Sequence, residues 1–545
     1  MEEATEVNAP YSRTLFDLLR ERSEKTPQAI AVVSRGVPVT YSELRFRSRV
    51  VASSLKSQGV KRGDRVGALL CNCVEWLELA FGAYAAGATL VPFSTWSTRN
   101  ELEFLLADSQ IKLLVSHARF GDRNFALDLA ILAPELAQGG RSARFPNLQN
   151  VVFLGADAST HFGHYEDFIA SATPGEDLPP GSAASASDDA LILYTSGSSA
   201  IPKAVRLKHY GVVENGFNIG ERMALGPSDR VLLSAPLFWS YGSANALPAT
   251  MTHGGTLVLQ ERFEAAGAIE LIEKFHCTAI YTLPGMTKAI ASRPEFTPAR
   301  VRTLRTGLTI GTPQEFLFAV KTLGAAQLCN VYGATETYGN CCVASSEWPV
   351  EKRAISQGQP LPGNELRFVD VDTGDPLLAG EIGLAEVRGY VMAGYCGASS
   401  DQNASAFTAD GFYRTGDVGR LDEDGAFVFV GRNTEMIKRA GINVSPAEVE
   451  NILSSHPGVV QAAVVGAADA ERGELIVAFV VPANASVTAA ELIAHCRGVA
   501  SKYKVPDRIQ FINSLPLTVT GKLQRRALKQ IAVELVDASG GPSHG

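Results

Sequence analysis

A loop rich in hydroxyl groups near the middle of the chain carries the residue types that bind phosphate. It follows the apolar residues 190–193 and reads Tyr194-Thr195-Ser196-Gly197-Ser198-Ser199-Ala200-Ile201-Pro202-Lys203. Side-chain hydroxyls and backbone amides can donate to phosphate oxygens, while Lys203 adds a positive charge. It is not a Walker A motif, because Pro202 stands where that motif has its second glycine. The pattern predicts a nucleotide-binding loop after a buried strand; on composition alone, a surface turn is the alternative.

Alternating strand and helix patterns flank this loop and would hold it in place. They occur at residues 64–70, 74–86 and 88–93, and again at 230–235, 256–259, 265–276 and 279–282. Such repetition predicts an α/β fold with mostly parallel sheets. Short strands follow residue 380, with a hairpin turn at Asp424-Gly425. A smaller unit begins near Gly431, with helices at 446–456 and 489–501 and strands at 459–465 and 475–481.

The composition limits the architecture and the partners. A chain of 545 residues is too long for one hydrophobic core, so we expect at least two domains. The formal charge of −8 argues against nucleic acid as a partner. No secretory signal is visible, and the apolar residues 77–93 contain Glu78 and Pro92, which fits a buried helix and strand better than a membrane span. We expect a cytoplasmic protein that is a monomer or homodimer.

The eight cysteines are scattered along the chain. Cys71 lies close to Cys73, and Cys341 lies next to Cys342, but neither pair has the spacing of a zinc finger. The sequence therefore predicts reduced thiols in the core.

Four further motifs follow the loop in order. They are Asn330-Val331-Tyr332-Gly333-Ala334-Thr335-Glu336, Tyr413-Arg414-Thr415-Gly416-Asp417, the segment from Gly431 and Arg432 to Lys438 and Gly441, and residues 516–522 ending in Lys522. With the loop, they make the chain resemble the adenylate-forming acyl-CoA synthetase family over essentially its whole length. The resemblance implies that a carboxylate displaces pyrophosphate from ATP and that the acyl group then passes from AMP to a thiol. ATP, Mg²⁺ and coenzyme A would be required. Cations and hydrogen-bond donors, rather than a nucleophilic side chain, would carry the chemistry.

The resemblance also implies a two-domain architecture. Residues 1–431 would form a large N-terminal domain of layered α/β sheets with a β-barrel-like subdomain, which binds ATP and the acyl substrate. Residues 432–545 would form a small, mobile C-terminal α+β lid that rotates between the two half-reactions. Thr434 stands at the usual hinge position, where the family has Asp or Lys, so the pivot is placed only to within a residue or so.

Positions within the motifs imply which residues bind the nucleotide. The phosphates would be bound by Thr195, Ser196, Gly197, Ser198 and Lys203. Glu336 would bind Mg²⁺ and Thr335 would donate to the α-phosphate. Tyr332 would stack on adenine, in a pocket completed by Gly311, Thr312, Pro313, Asn330 and Gly333. Asp417 would accept the ribose hydroxyls, and Arg432 would contact the sugar or a phosphate. Without the motif order, a core tyrosine, a helix cap and a turn aspartate would be the simpler interpretations of Tyr332, Thr335-Glu336 and Asp417.

The C-terminal motifs imply one residue set for each half-reaction. Lys522 would bridge the carboxylate and the α-phosphate during adenylation, whereas Lys438 and Gly441 would belong to the face used in thioester formation. The phosphate loop departs from the family pattern at Ala200 and Ala204, where glycine is usual, so a stiffer loop is expected.

Residues 236–247, Pro-Leu-Phe-Trp-Ser-Tyr-Gly-Ser-Ala-Asn-Ala-Leu, occupy the position of the acyl pocket in the family. The segment contains no Arg, Lys or His, which favours a neutral monocarboxylic acid over a dicarboxylate. Its spacing is similar to that of benzoate-type aryl-CoA ligases, and Trp239 would shorten the channel in favour of an aromatic or alicyclic ring. The implied wall residues are Trp239, Tyr241, Gly242, Ser243, Ala244, Thr309, Gly333 and Tyr338. Trp and Tyr are also ordinary core residues.

Several alternatives remain open for the substrate and the acceptor. The acid could be a medium- or long-chain fatty acid. Coenzyme A is favoured as acceptor because no carrier-protein motif is visible, and a free-standing enzyme that loads a separate carrier protein is the nearest alternative. A regulatory protein with decayed catalysis is disfavoured by Lys203, Glu336 and Lys522, and nothing in the sequence selects a luciferase-like oxygenase.

Overall fold

The computed structural model describes residues 13–155, 162–170, 172, 183–195, 202–397, 400–439, 442–469, 472–517 and 523–537. The chain divides into two compact units, Met1–Glu365 with Val387–Tyr413 and Leu366–Glu386 with Arg414–Gly545. The mixed α/β class predicted from the sequence is confirmed. The domain boundary between residues 431 and 432 stays a prediction.

Seven strands of the first unit form a sheet whose central strands are parallel. The predicted strand–helix–strand unit is confirmed, because Arg65–Leu69 and Thr89–Pro92 are parallel neighbours joined through the helix Val74–Ala85. Leu113–His117 lies on the other side of Arg65–Leu69. The order across the sheet is Lys203–Lys208, Asp189–Thr195, Thr89–Pro92, Arg65–Leu69, Leu113–His117, Asn150–Leu154 and Gly163–His164.

Eight strands form a second sheet in the same unit. The second predicted alternation is confirmed here, since Arg230–Leu233 is parallel to both Thr256–Leu259 and Ala279–Tyr281. Val37–Thr40 and Cys342–Val343 are antiparallel edge strands. The order across the sheet is Cys342–Val343, Gln327–Tyr332, Thr306–Thr309, Ala279–Tyr281, Arg230–Leu233, Thr256–Leu259, Ile30–Ser34 and Val37–Thr40. A separate small hairpin pairs Arg119–Phe120 with Arg123–Asn124.

Local sequence signals define where several helices of the first unit begin. Thr14, Thr40, Thr98 and Thr312 each precede a helix and form a capping box with the acidic residue three positions later. The α-helices are Leu15–Lys25, Tyr41–Ser57, Val74–Ala85, Arg99–Ser109, Phe125–Leu132, Pro134–Ala137, Tyr165–Ala170, His209–Arg222, Leu247–Thr252, Ala265–Phe275, Pro284–Ala291, Pro313–Leu323, Val350–Ile355 and Ser400–Ala406. Tyr241–Ala246 is a π-helix and Thr335–Thr337 a 3₁₀ turn.

The helix Val74–Ala85 explains the long apolar stretch seen in the sequence. Its residues 76–85 are all buried, and Gly82 permits the helix Tyr41–Ser57 to pack closely. A Cβ atom at Gly82 would lie only 2.6 Å from Cγ1 of Val51. The stretch is therefore a core helix followed by a strand, as predicted. None of the helices in the described part of the chain is long and apolar enough to span a membrane.

The second unit contains most of a four-stranded sheet and all of a five-stranded one. The predicted hairpin at Asp424-Gly425 joins Tyr413–Leu421 to Phe427–Arg432, in a sheet ordered Glu365–Val369, Gly383–Arg388, Tyr413–Leu421 and Phe427–Arg432. A five-stranded sheet is ordered Ile442–Val444, Ile437–Arg439, Gly473–Pro482 and Val459–Asp469, with Arg508–Phe511 beside Gly473–Pro482. The helices are Pro446–Ser454, Ala489–Val499 and Arg525–Asp537, with 3₁₀ turns at Asn433–Glu435 and Lys502–Lys504.

Candidate active site

The hydroxyl-rich loop connects two antiparallel strands at the edge of the seven-stranded sheet. Asp189–Thr195 precedes it and Lys203–Lys208 follows it, so that Thr195 and Lys203 lie directly opposite each other. The Oγ1 atom of Thr195 is buried and has no hydrogen-bond partner among the described residues. Of the predicted phosphate ligands, Ser196, Gly197 and Ser198 lie outside the described residues.

Tyr395 joins two of the predicted catalytic residues, Lys203 and Glu336. The Nζ atom of Lys203 lies 4.9 Å from the centroid of the Tyr395 ring, a cation–π contact. The Tyr395 hydroxyl donates a hydrogen bond to Oε1 of Glu336 over 3.0 Å. Burial, together with the adjacent Glu336 charge, raises the pKa of Tyr395, so the phenol stays protonated and remains a donor. No sequence motif contains Tyr395, and the sequence analysis missed it.

The backbone fixes Glu336 and brings Thr335 to the acyl segment. The amide of Met392 donates to the carbonyl oxygen of Glu336 over 2.7 Å. The hydroxyl of Thr335 lies 3.2 Å from that of Ser240, and either group can donate the hydrogen bond. Ser240 lies between the two predicted wall residues Trp239 and Tyr241. The structure therefore joins the Thr-Glu motif directly to the segment predicted to bind the acid.

The donor atoms at this site fit a magnesium ion. The carboxylate of Glu336 and the hydroxyl groups of Thr335 and Thr195 are hard oxygen donors, which Mg²⁺ prefers. Lys203 adds a positive charge next to the Tyr395 ring. A carboxylate beside a lysine and hydroxyl donors suits a site for a metal-bound polyphosphate better than a site for an uncharged ligand.

The predicted adenine-pocket residues lie at the ends of two neighbouring strands. Tyr332 ends Gln327–Tyr332 and is 8% exposed. A Cβ atom at Gly333 would lie 2.4 Å from the Cα atom of Asn340, so glycine is needed there. Asn330 is buried, and its side chain donates to the carbonyl of Arg353 over 3.1 Å. Nucleotide contacts of these residues stay predictions.

Gly311, Thr312 and Pro313 form the start of a helix. The Thr312 hydroxyl accepts a hydrogen bond from the amide of Glu315, and Pro313 is the first residue of Pro313–Leu323. Thr309, four residues before Pro313, ends the strand Thr306–Thr309 and is buried. The Thr312 side chain is thus occupied as a helix cap.

The predicted acyl wall adopts an uncommon backbone conformation. Tyr241–Ala246 is a π-helix, which is rare and often found at functional sites. Gly242 lies against the preceding turn, where a Cβ atom would be 2.4 Å from the carbonyl oxygen of Pro236. The Ser243 hydroxyl donates to the carbonyl of Trp239 over 3.0 Å, and Ala244 is fully buried. The sequence pattern did not predict this π-helix.

Trp239 belongs to a cluster of aromatic rings. Its ring packs edge-on against Trp96, with centroids 5.1 Å apart and an angle of 81° between the planes. Phe238 contacts the same Trp96 ring at 5.3 Å. Trp96 is 38% exposed, so this cluster reaches the surface of the first unit. The sequence analysis did not identify Trp96, because this residue is far from Trp239 in the chain and belongs to no motif.

The Tyr241 hydroxyl is bound to the backbone at the ends of two parallel strands. It donates towards the carbonyl oxygens of Leu308 at 2.9 Å and Thr282 at 3.2 Å. Its ring packs edge-on against Tyr281 at 5.0 Å. Burial raises the pKa of Tyr241 well above that of a free tyrosine, so the hydroxyl stays protonated.

Tyr338 follows the Thr-Glu motif, donates its amide hydrogen to the carbonyl of Thr335 over 3.1 Å, and is fully buried. Its hydroxyl accepts a hydrogen bond from the amide of Lys208 over 3.0 Å. A Cβ atom on Gly211, in the helix His209–Arg222, would lie 2.3 Å from Cζ of the Tyr338 ring. The side chain is thus packed against this helix, and its predicted role in the acyl wall stays a prediction.

In the second unit, Asp417 and Arg432 face each other on neighbouring antiparallel strands. The Nε atom of Arg432 lies 3.1 Å from Oδ1 of Asp417, which is buried, whereas the Arg432 side chain is exposed. Lys438 lies on the strand Ile437–Arg439, and its amide donates to Glu474 over 2.6 Å. Gly441 and Lys522 lie outside the described residues.

Comparisons with known proteins cover nearly the whole chain. The model of the family described as AMP-binding enzyme matches residues 19–396, and that of the AMP-binding enzyme C-terminal domain matches residues 448–522. The medium-chain acyl-CoA ligase ACSF2, mitochondrial, of Bos taurus is 31% identical over 539 residues, which cover 95% of this chain and 87% of that protein.

Solved structures agree with these matches. ATP-bound MatB from Rhodopseudomonas palustris has a TM-score of 0.84 at 26% identity, covering 95% of this chain and 99% of that one. The anthranilate CoA ligase AuaEII in complex with anthranoyl-AMP has a TM-score of 0.83 at 25% identity, covering 97% of this chain and 99% of that one.

Proposed function

Because the chain belongs to the AMP-binding enzyme family and is an AMP-forming acyl-CoA synthetase, we propose that its substrate is a neutral monocarboxylic acid with an aromatic or alicyclic ring. Enzymes of this family use ATP and coenzyme A. The acid is activated as acyl-AMP with release of pyrophosphate, and the acyl group is then transferred to coenzyme A.

One set of contacts carries the proposal. Lys203 contacts Tyr395, Tyr395 donates to Glu336, and Thr335 contacts Ser240. In the proposal, Lys203 supplies a positive charge and Thr335 a hydroxyl donor for phosphate, and Glu336 supplies an oxygen ligand for Mg²⁺. Ser240 lies within the aromatic segment. This continuity supports an arrangement in which the acid's carboxylate approaches the α-phosphate beside Thr335.

The aromatic segment supports a ring-shaped, uncharged substrate. Trp239 packs with Trp96 and Phe238, and residues 236–247 contain no cationic side chain to pair with a second carboxylate. The Tyr241 hydroxyl is already bound to backbone carbonyls, so the surface that this residue offers a substrate is its ring. The name of AuaEII, an anthranilate CoA ligase, is consistent with this substrate class.

The remaining roles concern charge rather than proton transfer. In the proposal, Thr195 and Lys203 bind the phosphates, with Ser196, Gly197 and Ser198 in the same loop. Glu336 holds Mg²⁺, which when bound neutralises phosphate charge and so makes attack by an anionic carboxylate easier. Tyr395 orients the Glu336 carboxylate through its hydrogen bond. Asp417 binds the ribose, and Lys522 acts in the adenylation step.

Acid-dependent pyrophosphate release tests the substrate class. The panel is benzoate, cyclohexanecarboxylate, cinnamates and fatty acids of increasing length, each with and without coenzyme A. We expect the highest kcat/KM for compact rings and turnover that requires coenzyme A. Preference for fatty acids would contradict the proposed aromatic or alicyclic substrate and indicate a medium- or long-chain acid instead. The name of ACSF2 gives a medium-chain acyl group. Accumulation of acyl-AMP that coenzyme A does not discharge would indicate a carrier-protein acceptor.

Separate assays of the two half-reactions test the role of Lys522. We expect Lys522→Ala to abolish adenylation while thioester formation from preformed acyl-AMP continues. Lys502→Ala is the control, because it removes a lysine from the same unit without touching a motif. Equal loss of both half-reactions in Lys522→Ala would contradict the assignment.

A further inference from the structure

Two thiols and one imidazole meet at a buried point of the first unit, outside the candidate active site. The Sγ atoms of Cys71 and Cys73 and a ring nitrogen of His117 all lie within 4.8 Å of one another. The Nε2 atom of His117 is 3.2 Å from Sγ of Cys71. The three residues are only 2%, 0% and 7% exposed, respectively.

The three side chains lie at the carboxyl ends of two adjacent parallel strands, where α/β sheets commonly bind ligands. Cys71 and Cys73 follow the strand Arg65–Leu69, and His117 ends the adjacent parallel strand Leu113–His117. After Arg65–Leu69 the chain continues to the neighbouring strand Thr89–Pro92, towards one edge of the sheet. After Leu113–His117 it continues to Asn150–Leu154, towards the other edge. Open α/β sheets bind ligands at the carboxyl ends of the strands where the connections diverge in this way.

We propose that Cys71, Cys73 and His117 form a binding site for a zinc ion. Zinc favours tetrahedral sites with thiolate at about 2.3 Å and imidazole nitrogen at about 2.0 Å, which places ligand atoms about 3.5–3.8 Å apart. The observed cluster needs only small side-chain movements to reach that geometry. Three protein ligands leave the fourth position for water or another oxygen donor.

The surroundings favour an ordered cation site over three unrelated core side chains. The His117 ring is stacked on Phe120, with centroids 5.4 Å apart and planes 15° apart, which holds its orientation. Two thiolates and one Zn²⁺ have no net charge, so the loaded site is compatible with its burial.

Asn72 connects the zinc site to the aromatic segment. Between the two cysteines, its side chain donates to the carbonyl of Ala235 over 2.9 Å and accepts from the amide of Leu237 over 2.8 Å. A metal ion that fixes Cys71 and Cys73 would therefore also restrain the residue before Phe238. Its binding does not depend on which acid the enzyme uses.

Cobalt and zinc binding to the full-length chain tests this site. After chelator treatment under reducing conditions, we expect one Co²⁺ per chain with a thiolate-to-cobalt charge-transfer band that Zn²⁺ removes by displacement. Cys73→Ser and His117→Gln should each weaken Zn²⁺ binding by more than about tenfold. Cys277→Ser is the matched control, because Cys277 is a buried thiol of the same unit outside the cluster.

X-ray absorption on zinc-loaded wild-type protein keeps the test independent of the variants' folding. It should show two sulfur neighbours at about 2.3 Å and at least one nitrogen neighbour. A metal shell without sulfur, or an unchanged charge-transfer band in folded Cys73→Ser, would overturn the proposal. Failure of the wild-type chain to bind either ion would overturn it as well.

Discussion

The hydroxyl of Tyr395 lies 3.0 Å from Oε1 of Glu336, although the two residues are 59 positions apart in the chain. The same tyrosine presents its ring to Lys203. One side chain thus relates the lysine after the hydroxyl-rich loop to the carboxylate of the Thr-Glu motif. The positions of these two charges in the first unit therefore depend on a residue outside both motifs.

Removal of the Tyr395 hydroxyl should slow adenylation. Tyr395→Phe keeps the ring beside Lys203 but removes the hydrogen bond to Glu336. A hydrogen bond to a charged group contributes about 1.5 kcal/mol or more, so we expect about a tenfold lower rate of pyrophosphate release at limiting Mg²⁺. Tyr165→Phe is the control, since it removes a tyrosine–glutamate hydrogen bond to Glu78, away from the site. An unchanged rate in Tyr395→Phe would exclude an orienting role.

Tyr241→Phe should lower stability more than it changes acid binding. The substitution leaves the carbonyls of Leu308 and Thr282 without this donor, which costs about 1–2 kcal/mol in the free energy of unfolding measured with urea. In the described part of the chain, the Tyr281 hydroxyl donates only to the sulfur of Met223, a weak acceptor at 3.6 Å. Tyr281→Phe is therefore a control with a smaller expected loss. If the KM for the acid rose strongly in Tyr241→Phe, the hydroxyl rather than the ring would be the substrate contact.

Gly211→Ala should disturb the packing of Tyr338, a residue that follows the Thr-Glu motif. The new methyl group would lie 2.3 Å from the Tyr338 ring, which is buried and has little room to move. We expect a loss of about 1–3 kcal/mol in the free energy of unfolding, together with reduced pyrophosphate release. Gly498→Ala, in the helix Ala489–Val499, is the control because nothing lies within 4 Å of its Cβ position. Equal stability of the two variants would contradict the packing account.

The stability of the first unit should depend on the protonation of His209. Burial lowers the pKa of His209 from 6.5 to about 4, so the folded protein holds this imidazole neutral. Below pH 6.5 the unfolded chain takes up a proton that the folded chain does not, and stability falls as pH decreases towards about 4. The expected slope is up to about 1.4 kcal/mol per pH unit.

Urea unfolding between pH 7 and pH 4.5 measures this slope. In the wild type, Nδ1 of His209 accepts a hydrogen bond from the amide of Leu15 over 3.3 Å. His209→Asn keeps a side-chain acceptor for this amide but removes the titratable imidazole. The variant should lose part of the pH dependence. Identical slopes for the variant and the wild type would contradict the assignment to His209.

Local patterns predicted the elements but not the contacts between distant segments. The strand–helix–strand unit at Arg65–Leu69, Val74–Ala85 and Thr89–Pro92 was predictable, because its apolar periodicity is contained in a short stretch of sequence. Tyr395 and Trp96 contact their partners only through the tertiary fold, so no local pattern identifies them. The cluster of Cys71, Cys73 and His117 was not predicted either. The two cysteines do not have zinc-finger spacing, and His117 comes from a neighbouring strand far along the chain.

The π-helix Tyr241–Ala246 sets the rotational position of Trp239 and Tyr241 relative to the helix that follows it. Its wider turn accommodates an additional residue, and each residue of an α-helix advances by about 100° around the axis. Deletion of one residue here would rotate Trp239 and Tyr241 by roughly a quarter turn relative to Leu247–Thr252. Under the proposed function, the length of this segment would therefore influence the choice of acid as directly as the identity of its side chains.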